Sequence, residues 1–201
     1  MSWIKTVSYD DAPPALRKLY DRVKKPDGYI DNILLVHGLR PHTLQGHMML
    51  YKNVLHHQGN ALGKWFLESI GVLVSHLNAC TYCVEHHFAG LRKLLNDDTR
   101  AINIRTALEA EKFADAFTPA EAVVLAYVVT LTTAPNTITA AMIETLREAG
   151  YDDGMILEIN QVASYFAYAN RTVLGLGVSL KNDILGLSPG DSSDPENWSH
   201  A

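Results

Sequence analysis

The segment from Leu62 to Leu77 sets the tightest limit on what this chain can fold into. Only Lys64, Glu68, Ser69, Ser75 and His76 interrupt its apolar residues and glycines. At helical pitch its apolar side chains cover nearly the whole circumference, which argues for burial in a core or a subunit interface. The elements available to surround it are also helical. Asp10-Asp11-Ala12-Pro13-Pro14 opens a helix with Leu16, Leu19, Tyr20 and Val23 at spacings of three and four. A turn at Lys25-Pro26-Asp27-Gly28 follows, then a short apolar helix from Ile33 to His37 that ends near Gly38. Pro41 begins another, running to about His56 and striped by Leu44, Met48, Tyr51 and Leu55.

Asn78-Ala79 reads as a break, with Asn78 the expected N-cap of a helix that carries Cys80 and Cys83 and ends near Leu95. A shorter helix spans about Asp98 to Leu108. Thr118-Pro119-Ala120-Glu121 combines an N-cap hydroxyl, a proline at the first helical position and a capping-box glutamate, and starts a helix to about Leu131. Further helices run from Thr139 to Glu148, closed by Gly150, and from Asp153 to about Leu180. The pairs Val123-Val124 and Val128-Val129 fall inside the capped helix, so no strand is expected. The chain therefore reads as all-α, with one domain over 1–187 whose cysteine-bearing core lies at about 60–95. Residues 188–201, rich in Ser, Pro, Gly and Asp, read as a polar tail that is loose unless a partner subunit holds it.

Composition narrows the function classes. The 201 residues are 47% apolar and 19% charged, within the range of ordinary globular chains. The formal charge is −5 and no basic run exceeds Lys24-Lys25, so there is no footprint for nucleic acid or an anionic membrane. No stretch supplies the ~18 uncharged apolar residues of a membrane span. Met1-Ser2-Trp3-Ile4-Lys5 lacks the features of a signal peptide, which makes the cytoplasm the default location. In that reducing compartment a close cysteine pair is more often redox-active or metal-binding than a structural staple.

The only two cysteines lie in Cys80-Thr81-Tyr82-Cys83-Val84-Glu85-His86-His87. On a helix Cys80, Cys83 and His87 fall within an arc of about 60°, with Tyr82 and His86 one turn apart on a neighbouring face. Backbone N–H groups and the helix dipole favour thiolate near a helix N-terminus. Cysteines at i and i+3 can close a labile disulfide. A peroxidatic site needs a thiolate, a proton for the leaving oxygen and a second thiol to resolve the sulfenic acid. Two thiols are present, His87 can move protons, and Glu68, on a helix packed alongside, can accept one. Burial in the apolar stretch is expected to raise the pKa of Glu68 toward that of a general base.

The spacing of Glu68, Cys80, Cys83 and His87 resembles the alkyl hydroperoxidase D (AhpD)-like group of the carboxymuconolactone decarboxylase superfamily. The flanking Leu73-Val74-Ser75-His76-Leu77-Asn78-Ala79 and His86-His87 are similar to its peroxidase-related branch. So are Asp31-Asn32-Ile33-Leu34, Arg40-Pro41, Phe166-Ala167-Tyr168-Ala169-Asn170-Arg171 and Leu174-Gly175-Leu176-Gly177-Val178. The resemblance covers most of residues 25–180. It implies an all-helical fold, homo-oligomers (trimers, or hexamers built from dimers) and an antioxidant, thiol-dependent peroxidase of the peroxiredoxin type acting on hydroperoxides. It further implies Cys83 as the attacking cysteine, Cys80 as the more accessible resolving one, and His87 and Glu68 as a proton relay. No bound cofactor is implied; electrons would come from a dithiol donor protein, such as one carrying a lipoyl group. The family's best-studied members have histidine where this chain has Tyr82. A phenol with pKa near ~10 is a weaker relay than imidazole, so either His86 or His87 takes over, or peroxidase activity is weak, or the site does something else, and Tyr82 is expected to donate a hydrogen bond.

Other readings compete. A structural zinc site needs four protein ligands, and only one of the adjacent His86 and His87 readily joins the two thiols. A thioredoxin motif would need a βαβ setting that is missing here. Within the same fold, a cofactor-free decarboxylase or lactone-processing enzyme would not depend on the cysteine pair, and a non-enzymatic, redox-sensing oligomer would use the disulfide to switch assembly. His37, His42, His47, His56 and His57 read as surface or satisfied core groups, and His76 as a possible exception near the cysteines. Asn170-Arg171 in an apolar helix reads as a buried polar clamp or a subunit contact. Tyr165, Phe166 and Tyr168 read as core or interface.

Overall fold

Proline, glycine and capping residues divide the chain into helices in the order expected. The computed structural model describes residues 2–25 and 27–199, and among these there are nine α-helices and no sheet. They are α1 (Pro14–Val23), α2 (Asn32–Leu35), α3 (Pro41–Leu55), α4 (Lys64–Leu77), α5 (Thr81–Leu95), α6 (Asp98–Glu109), α7 (Pro119–Thr133), α8 (Ala140–Glu148) and α9 (Asp153–Leu176). Single 3₁₀ turns occupy Val36–Leu39, Phe113–Asp115 and Pro135–Thr137. Pro26, within the turn expected at 25–28, lies outside the described residues; beside it the Gly28 N–H donates to the Lys25 carbonyl at 2.8 Å. The capping box at Thr118 and Glu121 is fully formed. No helix among the described residues is long and apolar enough to cross a membrane.

Helix α4 is the centre of the packing. Every residue from Phe66 to Ser75 is buried, and α3, α5, α6, α7 and α9 all touch the helix. Its start is pinned by α9, where the Glu158 carboxylate accepts from the Ala61 and Leu62 amides at 2.8 and 3.0 Å. Its closest approach to α9 is at Gly71, where a Cβ would overlap the Phe166 ring. That same ring meets the His87 imidazole edge-on, with centroids 4.5 Å apart.

Three features differ from the sequence reading. Asn78 does not cap α5: it is the C-cap of α4, and Cys80 takes the N-cap position. The cause is a Schellman motif, in which the Ala79 and Cys80 amides donate to the His76 and Ser75 carbonyls at 2.8 Å each, with Ala79 in the left-handed region (φ 55°). Helix α9 stops at Leu176, short of Leu180, because the same kind of left-handed cap forms at Gly177.

The segment 188–199 is docked rather than loose. Trp198 is 1% exposed, with the Arg22 guanidinium 3.4 Å over its ring. The buried Lys52 ammonium donates to the carbonyls of His56 and Gly190, and Lys64 pairs with Asp191 at 2.6 Å. A polar composition conceals such docking, because it depends on one aromatic ring and on backbone carbonyls.

Gly71→Ala is expected to overpack the α4–α9 contact and lower stability by about 1–3 kcal/mol, read as a lower midpoint in urea unfolding. An unchanged midpoint would show that Phe166 can withdraw freely.

Candidate active site

The Schellman turn leaves Cys80 at the junction of α4 and α5 and Cys83 in the first turn of α5. Both are free thiols, with sulfurs 2.7 Å apart sharing a hydrogen bond. Val36, Tyr82, Val173 and Val178 pack around them in a small apolar cluster. The resemblance implies that Cys80 is the more accessible sulfur, and the structure reverses this: Cys80 is 0% exposed, while Cys83, at 3%, is the one that lines a cavity. The charge is also divided. A hydrogen bond with Cys83 holds the Cys80 thiol below its ordinary pKa against the effect of burial, whereas the same bond and burial push Cys83 well above. The two titrate as a unit, the first negative charge resting on Cys80.

Asn170 is the buried polar clamp expected of it. Its amide donates to Ser75 Oγ at 3.0 Å, its oxygen accepts from the Asn78 amide at 3.0 Å, and it hydrogen-bonds the cysteine pair, which favours thiolate. Arg171, next to it, is exposed and donates to the Ala167 carbonyl of its own helix.

Two carboxylate–imidazole pairs reach the cavity from consecutive residues of α5. His87 Nδ1 lies 2.7 Å from Glu68 Oε2 of α4. Burial was expected to raise the Glu68 pKa, and it does act in that direction. The charge and hydrogen bond of His87, with His56 and Lys64 behind, outweigh it and leave the carboxyl below its ordinary value. His86 points the other way, its Nε2 3.3 Å from Asp183 Oδ2. Burial raises Asp183 as well, but hydrogen bonds from His86, Tyr29, Tyr82 and the Asn32 amide bring it below normal.

Tyr82 stacks on His86 with centroids 4.4 Å apart, and its hydroxyl accepts from the Ile33 amide at 3.2 Å. Burial and the nearby Asp183 push its phenol well above the ordinary value, so Tyr82 stays protonated and donates.

The cavity among these groups measures about 50 Å³. Glu68, Tyr82, Cys83, His86 and His87 line it; Cys80 sits behind Cys83. Gly186, Leu187 and Ser188 form part of its wall. Four lining residues with titratable side chains were not singled out as site residues by the sequence: Asp31, His47, Tyr51 and Tyr165. Tyr51 and Tyr165 stack at 5.3 Å, and His47 packs against both. His76, held open as an exception, lies in a separate surface depression with Thr81 and Arg105.

No protein-family model matches this chain, and no curated protein is similar to it. Solved structures are. An uncharacterised peroxidase-related protein with an AhpD core from Ralstonia eutropha JMP134 is 22% identical, over 89% of this chain and 91% of that one, with a TM-score of 0.77. A peroxidase-related protein from Silicibacter sp. TM1040 is 24% identical over the same shares, with a TM-score of 0.76. The debrominase Bmp8, in complex with 2,3,4-tribromopyrrole, is 17% identical over 90% of this chain and 95% of that one, with a TM-score of 0.69. The fold is thus the AhpD-like helical fold.

Burial raises the Asp31 carboxyl from 3.8 to about 7, with His86 pulling it down and Asp183 pushing it up. The folded chain therefore holds this proton more tightly than the unfolded chain. The resulting stabilisation is full below pH 3.8 and is lost as pH rises through about 7. Urea midpoints measured across that window are expected to fall more steeply for the wild type than for Asp31→Asn. Parallel curves would show that Asp31 titrates normally.

Proposed function

We propose that the cavity reduces hydroperoxides with the thiols of Cys83 and Cys80. The observation that carries this reading is the thiol pair itself, two sulfurs 2.7 Å apart with one of them facing a cavity shared with the Glu68–His87 pair. Cys83 attacks the terminal oxygen of the peroxide: an S–O bond forms, the O–O bond breaks, and sulfenic acid and an alcohol or water result. Cys80 then attacks the sulfenic sulfur, releasing water and closing the disulfide. An external dithiol, of the kind a lipoyl group supplies, returns the two electrons.

The charge distribution suits this order. Negative charge on Cys80 is one hydrogen bond away from Cys83, so transfer of a proton from Cys83 to Cys80 generates the nucleophile where the substrate enters. The Glu68–His87 pair can hold and return protons beside the same space. Because both sulfurs are buried, a donor dithiol reaches the disulfide only after the wall formed by Gly186, Leu187 and Ser188 shifts.

The debrominase neighbour raises thiol attack on a halogenated ring as a second reading. The narrow space of about 50 Å³ beside Cys83 supports a small peroxide as the substrate. A lactone-processing reaction would leave the thiol pair unexplained.

With a dithiol reductant, Cys83→Ser is expected to lower turnover of hydrogen peroxide or tert-butyl hydroperoxide by roughly 10³-fold or more. Cys80→Ser is expected to undergo one oxidation and stop, with a sulfenic acid on Cys83 trapped for mass spectrometry. A Cys83→Ser protein of full activity would sink the reading.

A further inference from the structure

Asp31 is a buried carboxyl in the wall of the cavity that Cys83 lines, and the chemistry above gives it no task. It precedes α2, yet its side chain caps none of that helix's amides. The groups that act on it come from three parts of the chain: His86 on α5, Asp183 in the segment after α9, and Tyr29 and Lys25 before α2. Two carboxyls thus surround one imidazole, and they are not equivalent. The Asp183 carboxylate accepts from the Tyr29 hydroxyl and the Asn32 amide and pairs with His86, so it keeps its charge. Burial is the main reason that Asp31 retains a proton, and the negative charge of Asp183 adds to it.

On the peroxidase reading, we propose that the Asp31 carboxyl is the acid of this site, giving its proton to the oxygen that leaves when the peroxide bond breaks. Asp183 is the positioning residue: its negative charge, in a buried setting, keeps the proton on this carboxyl, while His86 fixes Asp183 by pairing with it.

The two polar groups then divide the proton work. The Glu68–His87 pair, with its carboxyl held below the ordinary range, is the basic side. The Asp31 carboxyl, raised to about 7, carries a proton that can be delivered near neutral pH. The thiolate sulfur of Cys83 bonds the terminal peroxide oxygen, and the O–O electron pair departs on the alkoxide. Asp31 protonates that alkoxide to the alcohol. The proton lost from the cysteine pair restores Asp31, so one thiol and one hydroperoxide give one sulfenic acid and one alcohol.

The test uses two oxidants that differ in the leaving oxygen. Alkoxide from tert-butyl hydroperoxide is strongly basic and needs a proton, whereas carboxylate from peracetic acid leaves without one. Pre-reduced full-length protein is mixed with each oxidant and the single-turnover rate of disulfide formation is read by acid quench and mass spectrometry. This requires no electron-donor partner.

Asp31→Asn is expected to slow the reaction with tert-butyl hydroperoxide by about 10²–10³-fold, and to leave the peracetic acid rate within about threefold of wild type. The wild-type rate with the alkyl hydroperoxide should fall above about pH 7, and the variant should lack that limb. Equal loss with both oxidants, or no loss with either, overturns the assignment. Urea midpoints taken alongside separate a folding defect, and Asp183→Asn, which leaves Asp31 in place, should shift the alkaline limb; an unshifted limb counts against the positioning role. Wild-type protein that forms no disulfide with either oxidant would instead remove the peroxidase reading on which the proposal rests.

Discussion

A carboxylate inside the helix at the centre of the packing governs how the rest is arranged. Glu68 is 2% exposed, and an unpaired buried carboxylate costs several kcal/mol. The His87 imidazole at 2.7 Å resolves that cost and, in doing so, fixes the rotation of α5 against α4. Rotation is the variable that matters for the site. Turned to place His87 on Glu68, α5 presents Cys83 to the cavity one turn earlier and leaves Cys80 behind it. The Phe166 ring then closes over His87, and it reaches that position only because α4 has glycine at position 71. One carboxylate–imidazole contact therefore ties the core packing to the geometry of the thiols. Removing His87 would leave the Glu68 carboxylate buried without this partner, a penalty of about 3–5 kcal/mol in comparable buried pairs.

The C-terminal segment answers a second set of buried charges. Lys52 on α3 has its ammonium among backbone carbonyls, and burial holds its pKa below the ordinary value. Gly190 supplies one of those carbonyls, and Asp191 lies beside both Lys64 and His56. Asp183 reaches back to His86, so the same stretch contributes to the cavity from within and is held down from outside. Gly186 lies flat on α5, where a Cβ would come within 2.9 Å of the Ala89 backbone. One part of the cavity wall is thus a strap fastened at Asp183, Gly190 and Trp198, and the rest belongs to the helical bundle.

How much of this could be read from the sequence depends on the range over which each signal acts. The capping box at Thr118, the burial of α4 and the turn spacing of Cys80, Cys83 and His87 are local and were legible. The Glu68–His87 contact was legible too, because helices adjacent in sequence pack side by side. The cap of α5 was not: Asn78 has the better N-cap chemistry, but a left-handed Ala79 makes Asn78 the C-cap of α4 and moves the cap of α5 two residues on, to Cys80, and alanine carries no sign of that conformation. Asp183 lies far along the chain from His86, with no periodicity linking them, so its role emerges only when the segment after α9 folds back. The sign of the Glu68 shift failed for a related reason. Burial can be judged from neighbours in sequence, whereas the opposing field of His87, His56 and Lys64 depends on the folded arrangement.

Tyr82 shows how that arrangement changes the meaning of a residue. As a proton carrier in place of histidine it would be poor, since its phenol is held well above the ordinary value. In the fold its hydroxyl accepts from the Ile33 amide and donates to Asp183, while its ring supports His86. It therefore fastens the start of α2, which brings Asp31, to the helix that carries Cys83. A histidine at this position could move a proton but could not make the same span with one hydroxyl. The contribution of Tyr82 is structural: it ties the segment that bears Asp31 to the helix that bears Cys83.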